Sequence, residues 1–284
     1  MTKAVGIIPA RWGSTRFPGK ALFEIAGKPL LQHVWERCRR AKRLDRLIIA
    51  TDDFRIAEAA FDWGAEIAMT SGTHASGTDR IAEVAAKLKP FAHVINIQGD
   101  EPLIDPKLID RLVRELQRDK KLEMITAAHP FDDPSDAESP HQVKVVLNKN
   151  GEALYFSRAA IPASRSGGLQ TADGLRRRFE KRRSLPLYFR HQGIYGYRRE
   201  LLLRFVRWKT SPLERTESLE QLRALENGVK IQVVMTGSGS PGVDTPEDAK
   251  AVAASLCKEA RDRPGNVGRA HVAHRATATG RRSR

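Results

Sequence analysis

Five apolar runs of five to seven residues alternate with amphipathic segments in the first 130 residues of this chain. The runs are typical of buried strands and cover residues 4–10, 46–51, 66–70, 93–99 and 123–129. The segments between them predict helices at Leu30–Lys42, Asp53–Trp63, Asp79–Lys89 and Pro106–Lys120. Such alternation predicts βαβ units, and therefore an α/β fold with a mostly parallel central sheet flanked by helices.

The pattern changes after residue 140. Three strand-like runs at 144–148, 153–158 and 191–198 follow one another with few helical residues between them, which predicts a smaller antiparallel excursion at about 140–200. Further on we expect two helices, a strand and a closing helix, at Glu200–Trp208, Ser218–Asn227, 231–236 and after Pro246. Residues 1–257 therefore form one expected domain. Residues 258–284 are basic and lack aromatic side chains and apolar periodicity, so we expect a disordered tail.

The net charge of +15 is unevenly distributed along the 284 residues. Segments 165–190 and 258–284 each carry +6, which leaves the remaining chain nearly neutral. A nucleic-acid-binding protein that uses Arg176–Arg178, Arg182 and Arg183 is the rival hypothesis from another class. The basic segments offer few aromatic side chains for base stacking, so we expect no specific nucleic-acid partner and only weak, salt-sensitive adhesion.

Membrane insertion and export are not expected from this sequence. No apolar stretch approaches the roughly 18–20 residues that a membrane-spanning helix needs. The first apolar run is broken by Pro9 and followed by Arg11, which makes a poor signal peptide. Cys38 and Cys257 are too few for a disulfide framework. These features predict a cytoplasmic protein.

The loop after the first strand combines cations with glycines, which allow the backbone to approach a ligand closely. It contains Arg11, Arg16 and Lys20 together with Gly13 and Gly19, and such loops suit polyphosphates. A P-loop needs four residues between its glycines and a hydroxyl after its lysine. Here five residues separate the glycines, and Ala follows the lysine. No G-x-G-x-x-G motif follows the strand either, and a solvated basic loop remains the alternative.

Two carboxylates follow other turns and strand ends. Asp100 comes directly after the fourth apolar run, and Asp244 comes after a Pro-Gly turn and just before a helix. Mg²⁺ in phosphate-binding enzymes is typically held by one or two carboxylates together with phosphate oxygens and water. We therefore expect Asp100 and Asp244 to hold Mg²⁺ opposite the basic loop. The alternative for Asp244 is a helix N-cap.

Eight short motifs in order give the chain a resemblance to a known family. They are IIPAR with STR and PGK from Ile7, then ATDD, SGTDR, VINIQGDEP, YFSRA, HQGIYGYR, LEQLR and GVDTPEDA, which ends at Ala249. In this order they resemble the CMP-Kdo synthetases, the 3-deoxy-manno-octulosonate cytidylyltransferases. The resemblance implies a Rossmann-like nucleotidyltransferase fold, a cytoplasmic homodimer and Mg²⁺ as cofactor. The implied reaction is CTP + Kdo → CMP-Kdo + diphosphate, which activates Kdo for lipopolysaccharide synthesis.

The resemblance also assigns roles to individual residues. The nucleotide-binding set that it implies is Arg11, Ser14, Arg16, Lys20, His74, Ser76, Gly77 and Arg80. The catalytic set is Lys20, Arg11 and Asp100, and the metal ligands are Asp100 and Asp244. We expect direct attack of the sugar 2-hydroxyl on the α-phosphorus, without a covalent enzyme intermediate. For the segment His74–Arg80, the alternative is a plain helix N-terminus capped near Thr78 or Asp79.

The sugar acid needs a cation and several polar side chains. The implied sugar-binding set is Gln98, Arg158, His191, Tyr195, Glu217, Glu220 and Gln221. Glu217 and Glu220 are three residues apart, so we expect them on one face of a helix, and a solvated acidic face is the alternative. A structural histidine is the alternative for His191. The motifs do not separate Kdo from a related sugar acid, such as 8-amino-Kdo or sialic acid. The segment 163–187 is longer and more basic than the family pattern has at this place.

Overall fold

The computed structural model describes residues 2–13, 17–131, 133–163 and 188–261. We number the strands β1 to β11 and the α-helices α1 to α8 in chain order. The strands are Lys3–Ala10, Glu24–Ile25, Lys28–Pro29, Arg46–Thr51, Glu66–Met69, Phe91–Asn96, Met124–Pro130, Lys144–Leu147, Ala153–Ser157, Phe189–Arg198 and Ile231–Met235. The α-helices are Leu30–Cys38, Phe54–Asp62, Gly77–Lys87, Pro106–Arg118, Arg199–Phe205, Pro212–Glu217, Gln221–Glu226 and Pro246–Arg261. Short 3₁₀ helices cover Lys20–Leu22 and Pro134–Glu138.

The central sheet has the strand order β11-β7-β10-β6-β1-β4-β5. Strands β6, β1, β4 and β5 run parallel, and β11 runs parallel to β7. Strand β10 lies antiparallel between β6 and β7. The chain leaves β1 towards β4 and β5, then crosses back to β6 on the other side of β1. Ligands in such sheets bind beyond the carboxyl ends of the strands, where the connections diverge.

Apolar cores cover both faces of the sheet. One core joins the sheet to α3, α5 and α7, and the other joins it to α1, α2 and α4. Strand β1 is almost completely buried, with Val5, Ile7 and Ile8 inaccessible to solvent. A parallel strand with helices on both faces needs a continuous apolar run rather than an alternating one. This explains why the first run is recognisable in the sequence.

Side-chain caps fix the starts of several helices. Asp53, Asp105 and Ser211 each accept a hydrogen bond from the first turn of the helix that follows, and Pro106 occupies the first position of α4. These interactions satisfy backbone N–H groups that have no partner within a helix. Asp105 is therefore the N-cap of α4.

The antiparallel excursion consists of β8 and β9, and β8 also pairs with the first residues of β10. Lys144 in β8 is buried, and its ammonium donates to the carbonyls of Ser139, Gln142 and Arg158. These bonds tie the connection before β8 to the end of β9. The excursion and the mostly parallel sheet agree with the predicted fold class.

Several predicted boundaries differ from the structure, and two of the differences concern the C-terminal part of the chain. The predicted helix Ser218–Asn227 is shorter, because α6 ends at Glu217, Ser218 adopts a left-handed conformation with φ 52°, and α7 begins at Gln221. Helix α8 continues to Arg261, past the predicted domain boundary at 257. Residues 262–284 and the basic segment 164–187 lie outside the described residues. Among the helices described, none combines the length and apolar character needed to cross a membrane.

Candidate active site

A cavity of about 310 Å³ opens at the carboxyl ends of β1 and β6. Its wall contains nine of the residues that the sequence singled out: Arg11, Lys20, His74, Ser76, Gly77, Arg80, Gln98, Asp100 and Asp244. The remaining lining residues are Pro9, Ala10, Ala21 and Gly99. Residues 14–16, which include the predicted Ser14 and Arg16, lie outside the described residues.

Lys20 joins the basic loop to both predicted metal ligands. Its Nζ lies 2.7 Å from Oδ2 of Asp100 and 3.2 Å from Oδ1 of Asp244. The lysine side chain is 16% exposed, whereas the two aspartates are 32% and 48% exposed. Two carboxylates thus converge on one point of the cavity wall and remain open to solvent. This arrangement places one ammonium beside two carboxylates, at a point of the cavity wall that a phosphate and a metal cation can reach.

Asp244 is held beside Asp100 by the backbone rather than by a capping role. The amide of Val243 donates to the carbonyl of Asp100 over 2.9 Å. Helix α8 begins at Pro246, and Thr245 Oγ1 accepts from the amide of Asp248. The carboxylate of Asp248 in turn accepts from the amides of Asp244 and Thr245. The N-cap alternative therefore applies to Thr245, and the Asp244 carboxylate points to Lys20.

Trp12 and Gly19 close the base of the basic loop. The amide of Gly19 donates to the carbonyl of Trp12 over 3.1 Å, and Gly19 has φ 71°. A Cβ on Gly19 would lie only 3.2 Å from the Trp12 ring. The Arg55 guanidinium covers that ring at 3.4 Å from its centroid. These contacts hold the two ends of the loop together, with Arg11 before Trp12 and Lys20 after Gly19.

Gly99 allows the β6–α4 connection to lie against the end of β1. A Cβ at this position would lie 3.0 Å from the carbonyl oxygen of Pro9, closer than nearly all real contacts of this kind. Any larger side chain would therefore push Gln98 and Asp100 away from the basic loop. The glycine keeps the two halves of the cavity wall at their observed separation.

The segment His74–Arg80 forms the start of α3 and one side of the cavity. Ser76 is the N-cap and forms a capping box with Asp79, so the cap lies before both Thr78 and Asp79. His74 Nε2 contacts the carboxylate of Glu83 at 2.7 Å. Hydrogen bonds from the Ser71 amide and from His74 lower the pKa of Glu83 to about 2. These bonds fix the direction in which the segment presents its backbone.

Arg80 is buried although it reaches the cavity wall. Its guanidinium lies 3.1 Å from Asp52 Oδ2 and donates to Thr70 Oγ1 over 2.5 Å. Asp52 and Thr70 follow β4 and β5, so the arginine links α3 to two adjacent carboxyl ends of the sheet. Sequence reasoning missed both partners, because they are distant in the chain.

The predicted sugar-binding residues fall into two groups. Gln98 lines the cavity, and its Nε2 donates to the carbonyl of Gly193 over 2.8 Å. The other six, which the cavity lining does not include, are Arg158, His191, Tyr195, Glu217, Glu220 and Gln221. They lie directly after β9, on β10 and in the α6–α7 region, and Gln221 is buried.

Arg158 and Glu217 hold each other in place. The Glu217 carboxylate accepts from Ser157 Oγ at 2.6 Å and from the Arg158 amide at 2.8 Å. The Arg158 guanidinium donates to the carbonyls of Pro140, Glu217 and Ser218. Both side chains thus fix the end of α6 against the end of β9.

The sequence predicted that Glu217 and Glu220 share one helical face, and this prediction is wrong. Glu217 is the last residue of α6, and Glu220 precedes α7, with the left-handed Ser218 between them. The two carboxylates consequently have different partners. Glu220 accepts from Ser76 Oγ and Thr78 Oγ1 on α3.

His191 and Tyr195 pack together on β10. Their rings are 5.3 Å apart, and His191 Nε2 lies 2.9 Å from Thr126 Oγ1. Burial lowers the pKa of His191 to about 3, so the imidazole is neutral at physiological pH. Burial also raises the pKa of Tyr195. These rings supply neutral hydrogen-bonding groups rather than charges.

A buried polar pair beneath the cavity was not found from the sequence. Glu101 is 7% exposed, and its Oε2 accepts from Gln192 Nε2 over 3.3 Å. Burial and the neighbouring charge of Asp100 raise the pKa of Glu101 to about 8. The pair joins the residue after Asp100 to β10, where the pairing with β7 shifts register between Gln192 and Tyr195. Gln192 stands in the HQGIYGYR motif and Glu101 stands beside Asp100, but the sequence does not show that the two side chains meet.

Replacing Glu101 with Gln should remove a pH-dependent loss of stability. The folded-state pKa of about 8 lies above the ordinary value of 4.5, so the folded chain binds the extra proton between these values. Stability therefore falls as pH rises from about 4.5 to 8. We compare the free energies of unfolding of E101Q and the wild type by urea unfolding at pH 5 and pH 8. The difference in favour of E101Q should be about 2–4 kcal/mol larger at pH 8 than at pH 5. An equal difference at both pH values would contradict this.

The donor set fits Mg²⁺ coordination that is shared with a substrate. The described residues contain no cluster of three or more His, Cys, Asp or Glu side chains suited to a metal ion. They do contain the two aspartates that converge on Lys20. Mg²⁺ commonly takes one or two carboxylates and completes its shell with phosphate oxygens and water. Asp100 and Asp244 can therefore supply the protein's share of such a shell.

Comparison with known proteins identifies the family. The cytidylyltransferase family profile matches residues 5–231. A curated 3-deoxy-manno-octulosonate cytidylyltransferase from Geobacter metallireducens is 47% identical over 256 residues, covering 90% of this chain and 98% of the relative. The chain belongs to the 3-deoxy-manno-octulosonate cytidylyltransferase family. The family predicted from the motifs is thereby confirmed.

Further relatives agree with membership of this cytidylyltransferase family. The Pseudomonas syringae pv. tomato enzyme of the same name is 49% identical over 249 residues, covering 87% of this chain and 95% of the relative. A solved structure of CMP:2-keto-3-deoxy-manno-octonic acid synthetase complexed with CTP has a TM-score of 0.81 and 40% identity, covering 90% of this chain and 99% of that one. A Leptospira borgpetersenii cytidylyltransferase is 17% identical, with a TM-score of 0.58 and coverage of 96% and 100%, and shares the fold.

Proposed function

We propose that this chain transfers the cytidylyl group of CTP to Kdo, forming CMP-Kdo and releasing diphosphate. The observation that carries the proposal is the cavity at the strand ends, where Lys20 contacts both Asp100 and Asp244. A triphosphate needs cations, and a bound cation needs carboxylates. The cavity wall offers both within hydrogen-bonding distance of each other.

The triphosphate of CTP binds along the basic loop in this proposal. Arg11 and Lys20 line the cavity, and the contacts of Trp12 with Gly19 fix their separation. Ser14 and Arg16 belong to the same loop by sequence and complete the proposed set. Phosphoryl-type transfers depend mainly on positioning and on the stabilisation of charge that develops in the transition state. Lys20 is the group that we assign to the charge on the departing diphosphate.

The reaction forms a bond between the sugar 2-hydroxyl oxygen and the α-phosphorus, and breaks the bond from that phosphorus to the diphosphate. The hydroxyl releases its proton to solvent water as the new bond forms, and the diphosphate leaves into solvent. Direct attack needs no covalent enzyme intermediate. Asp100 and Asp244 would hold Mg²⁺, which would offset phosphate charge and lower the pKa of the sugar hydroxyl.

The cytosine base lies against the start of α3 in this proposal. Ser76 and Gly77 line the cavity, and the capping box orients their backbone. Arg80 reaches the same wall and is held by Asp52 and Thr70. A site that pairs each polar edge of the base rejects the wrong base, because unmatched buried groups are costly.

The sugar acid occupies the region next to Gln98 that faces β10 and α7. His191 and Tyr195 offer neutral polar groups, and Glu220 and Gln221 stand at the start of α7. Arg158 and Glu217 shape this region through the backbone bonds that fix the end of α6. We further propose that the enzyme acts as a cytoplasmic homodimer and that its product serves lipopolysaccharide synthesis.

Initial rates of diphosphate release across a panel of substrates test this function. We expect release only when CTP, Kdo and Mg²⁺ are all present, and little release with UTP. Asp244→Asn should slow release and raise the Mg²⁺ concentration needed for the half-maximal rate. The matched change Asp105→Asn should do neither, because Asn also caps helices well. Faster release with 8-amino-Kdo or sialic acid would show that this sugar acid, rather than Kdo, is the substrate. No release with any sugar acid would refute the function.

A further inference from the structure

A pair of hydrogen bonds joins the nucleotide side of the cavity to the sugar side. Ser76 Oγ lies 3.1 Å from Glu220 Oε1, and Thr78 Oγ1 donates to Glu220 Oε2 over 2.5 Å. We call these two contacts the Glu220 bridge. Ser76 belongs to the cavity wall at the start of α3, whereas Glu220 stands immediately before α7. The bridge therefore spans two elements that are more than 140 residues apart in the chain.

Buried side chains surround the bridge and restrict the Glu220 side chain. Thr78 is 3% exposed, and the Tyr197 phenol on β10 lies close to it. Arg223 approaches Glu220 Oε1 at 3.5 Å while its main partner is Glu214. Burial raises the pKa of Glu220. Both carboxylate oxygens thus depend on the first turn of α3 for their position.

We propose that Thr78 is a positioning residue that couples nucleotide binding to sugar-acid binding through the Glu220 bridge. This inference rests on the proposed function. A nucleotide seated against Ser76 and Gly77 contacts the first turn of α3, and that turn holds the Glu220 carboxylate. Any adjustment of this turn to the nucleotide therefore changes the position of the carboxylate that the sugar acid meets. Coupling of this kind is reciprocal, so the sugar acid strengthens nucleotide binding by the same factor.

Equilibrium binding to Thr78 variants tests the coupling. The probe is a CTP analogue with a methylene group between the α- and β-phosphorus, which cannot release diphosphate. Its Kd is measured by calorimetry with Mg²⁺, with and without saturating Kdo. In the wild type, Kdo should tighten analogue binding about tenfold. Thr78→Val keeps the shape and removes one of the two contacts of the bridge, so the ratio should fall towards one.

Two control variants separate coupling from general damage. Thr78→Ser retains the hydroxyl and should keep the wild-type ratio, and Tyr197→Phe removes the neighbouring phenol while leaving the bridge intact. Thr78→Ala removes the same hydroxyl without β-branching and gives a second test if the Val variant does not fold. A wild-type ratio of one, or an unchanged ratio in a folded Val or Ala variant, would overturn the proposal. If diphosphate release from CTP and Kdo were intact, that result would leave the proposed function standing.

Discussion

Replacing Lys20 with Met is expected to lower kcat for diphosphate release by about 10²–10³-fold, the range found when one preorganised charge-stabilising donor is removed. The ammonium lies 2.7 Å from Asp100 and 3.2 Å from Asp244, so it is fixed before substrate arrives. Methionine has a similar length and no charge. The variant also leaves two aspartates facing each other without their cation, which should change the Mg²⁺ concentration needed for half-maximal rate.

The matched control for Lys20 is Lys28→Met. Lys28 pairs with Glu36 at 2.7 Å and does not line the cavity. Its replacement should leave kcat within about twofold of the wild type, because exposed ion pairs contribute little. Initial-rate kinetics at saturating CTP and Kdo decide between the outcomes. A K20M variant that folds and keeps more than a fifth of the wild-type kcat would contradict the assignment of Lys20.

Replacing Arg223 with Met is expected to reduce the free energy of unfolding by about 3–5 kcal/mol, the cost of leaving a buried charge without its partner. Arg223 and Glu214 are 8% and 9% exposed. The guanidinium donates to both carboxylate oxygens, at 2.8 and 2.6 Å, and covers the Phe205 ring at 4.7 Å. The variant leaves the buried Glu214 carboxylate, between α6 and α7, without its positively charged partner. Urea unfolding followed by circular dichroism measures the loss.

An exposed pair in the same chain provides the comparison. Arg46 and Glu66 also form a two-point contact, but both side chains are 41% exposed. Arg46→Met should therefore cost less than about 1 kcal/mol. The double variant Arg223→Met with Glu214→Leu should recover much of the loss, because no unpaired charge remains. Equal losses for R223M and R46M would show that the buried pair does not stabilise α6 against α7.

The strands were predictable because a strand that is buried on both faces has a continuous run of apolar residues in the sequence. The run 46–51 has the same bounds in the structure, and the other four differ by at most three residues at either end. The division between α6 and α7 was not predictable. The stretch 211–227 contains no Gly or internal Pro after its first turn, so local propensity favours one helix. The contact of Arg223 with Glu214 draws the two segments together and depends on tertiary structure.

Part of the site followed from one rule about parallel sheets. Residues placed after different strands meet at one edge, which brought Arg11, Lys20 and Asp100 into one cavity wall. The buried partners were not predictable, since Asp52 beside Arg80 and Gln192 beside Glu101 are far away in sequence. A single sequence carries no signal for such pairs. Thr78 likewise looked like part of a helix start until its contact with Glu220 was seen.

Phosphorus NMR of the complete reaction tests the central claim most directly. The purified chain is mixed with CTP, Kdo and Mg²⁺, and the phosphorus resonances are followed with time. We predict that the triphosphate signals disappear while a phosphodiester signal and diphosphate appear in equal molar amounts, and that nothing changes without Kdo. Unchanged CTP, or its conversion to CMP and diphosphate without a phosphodiester, would contradict transfer of the cytidylyl group to the sugar.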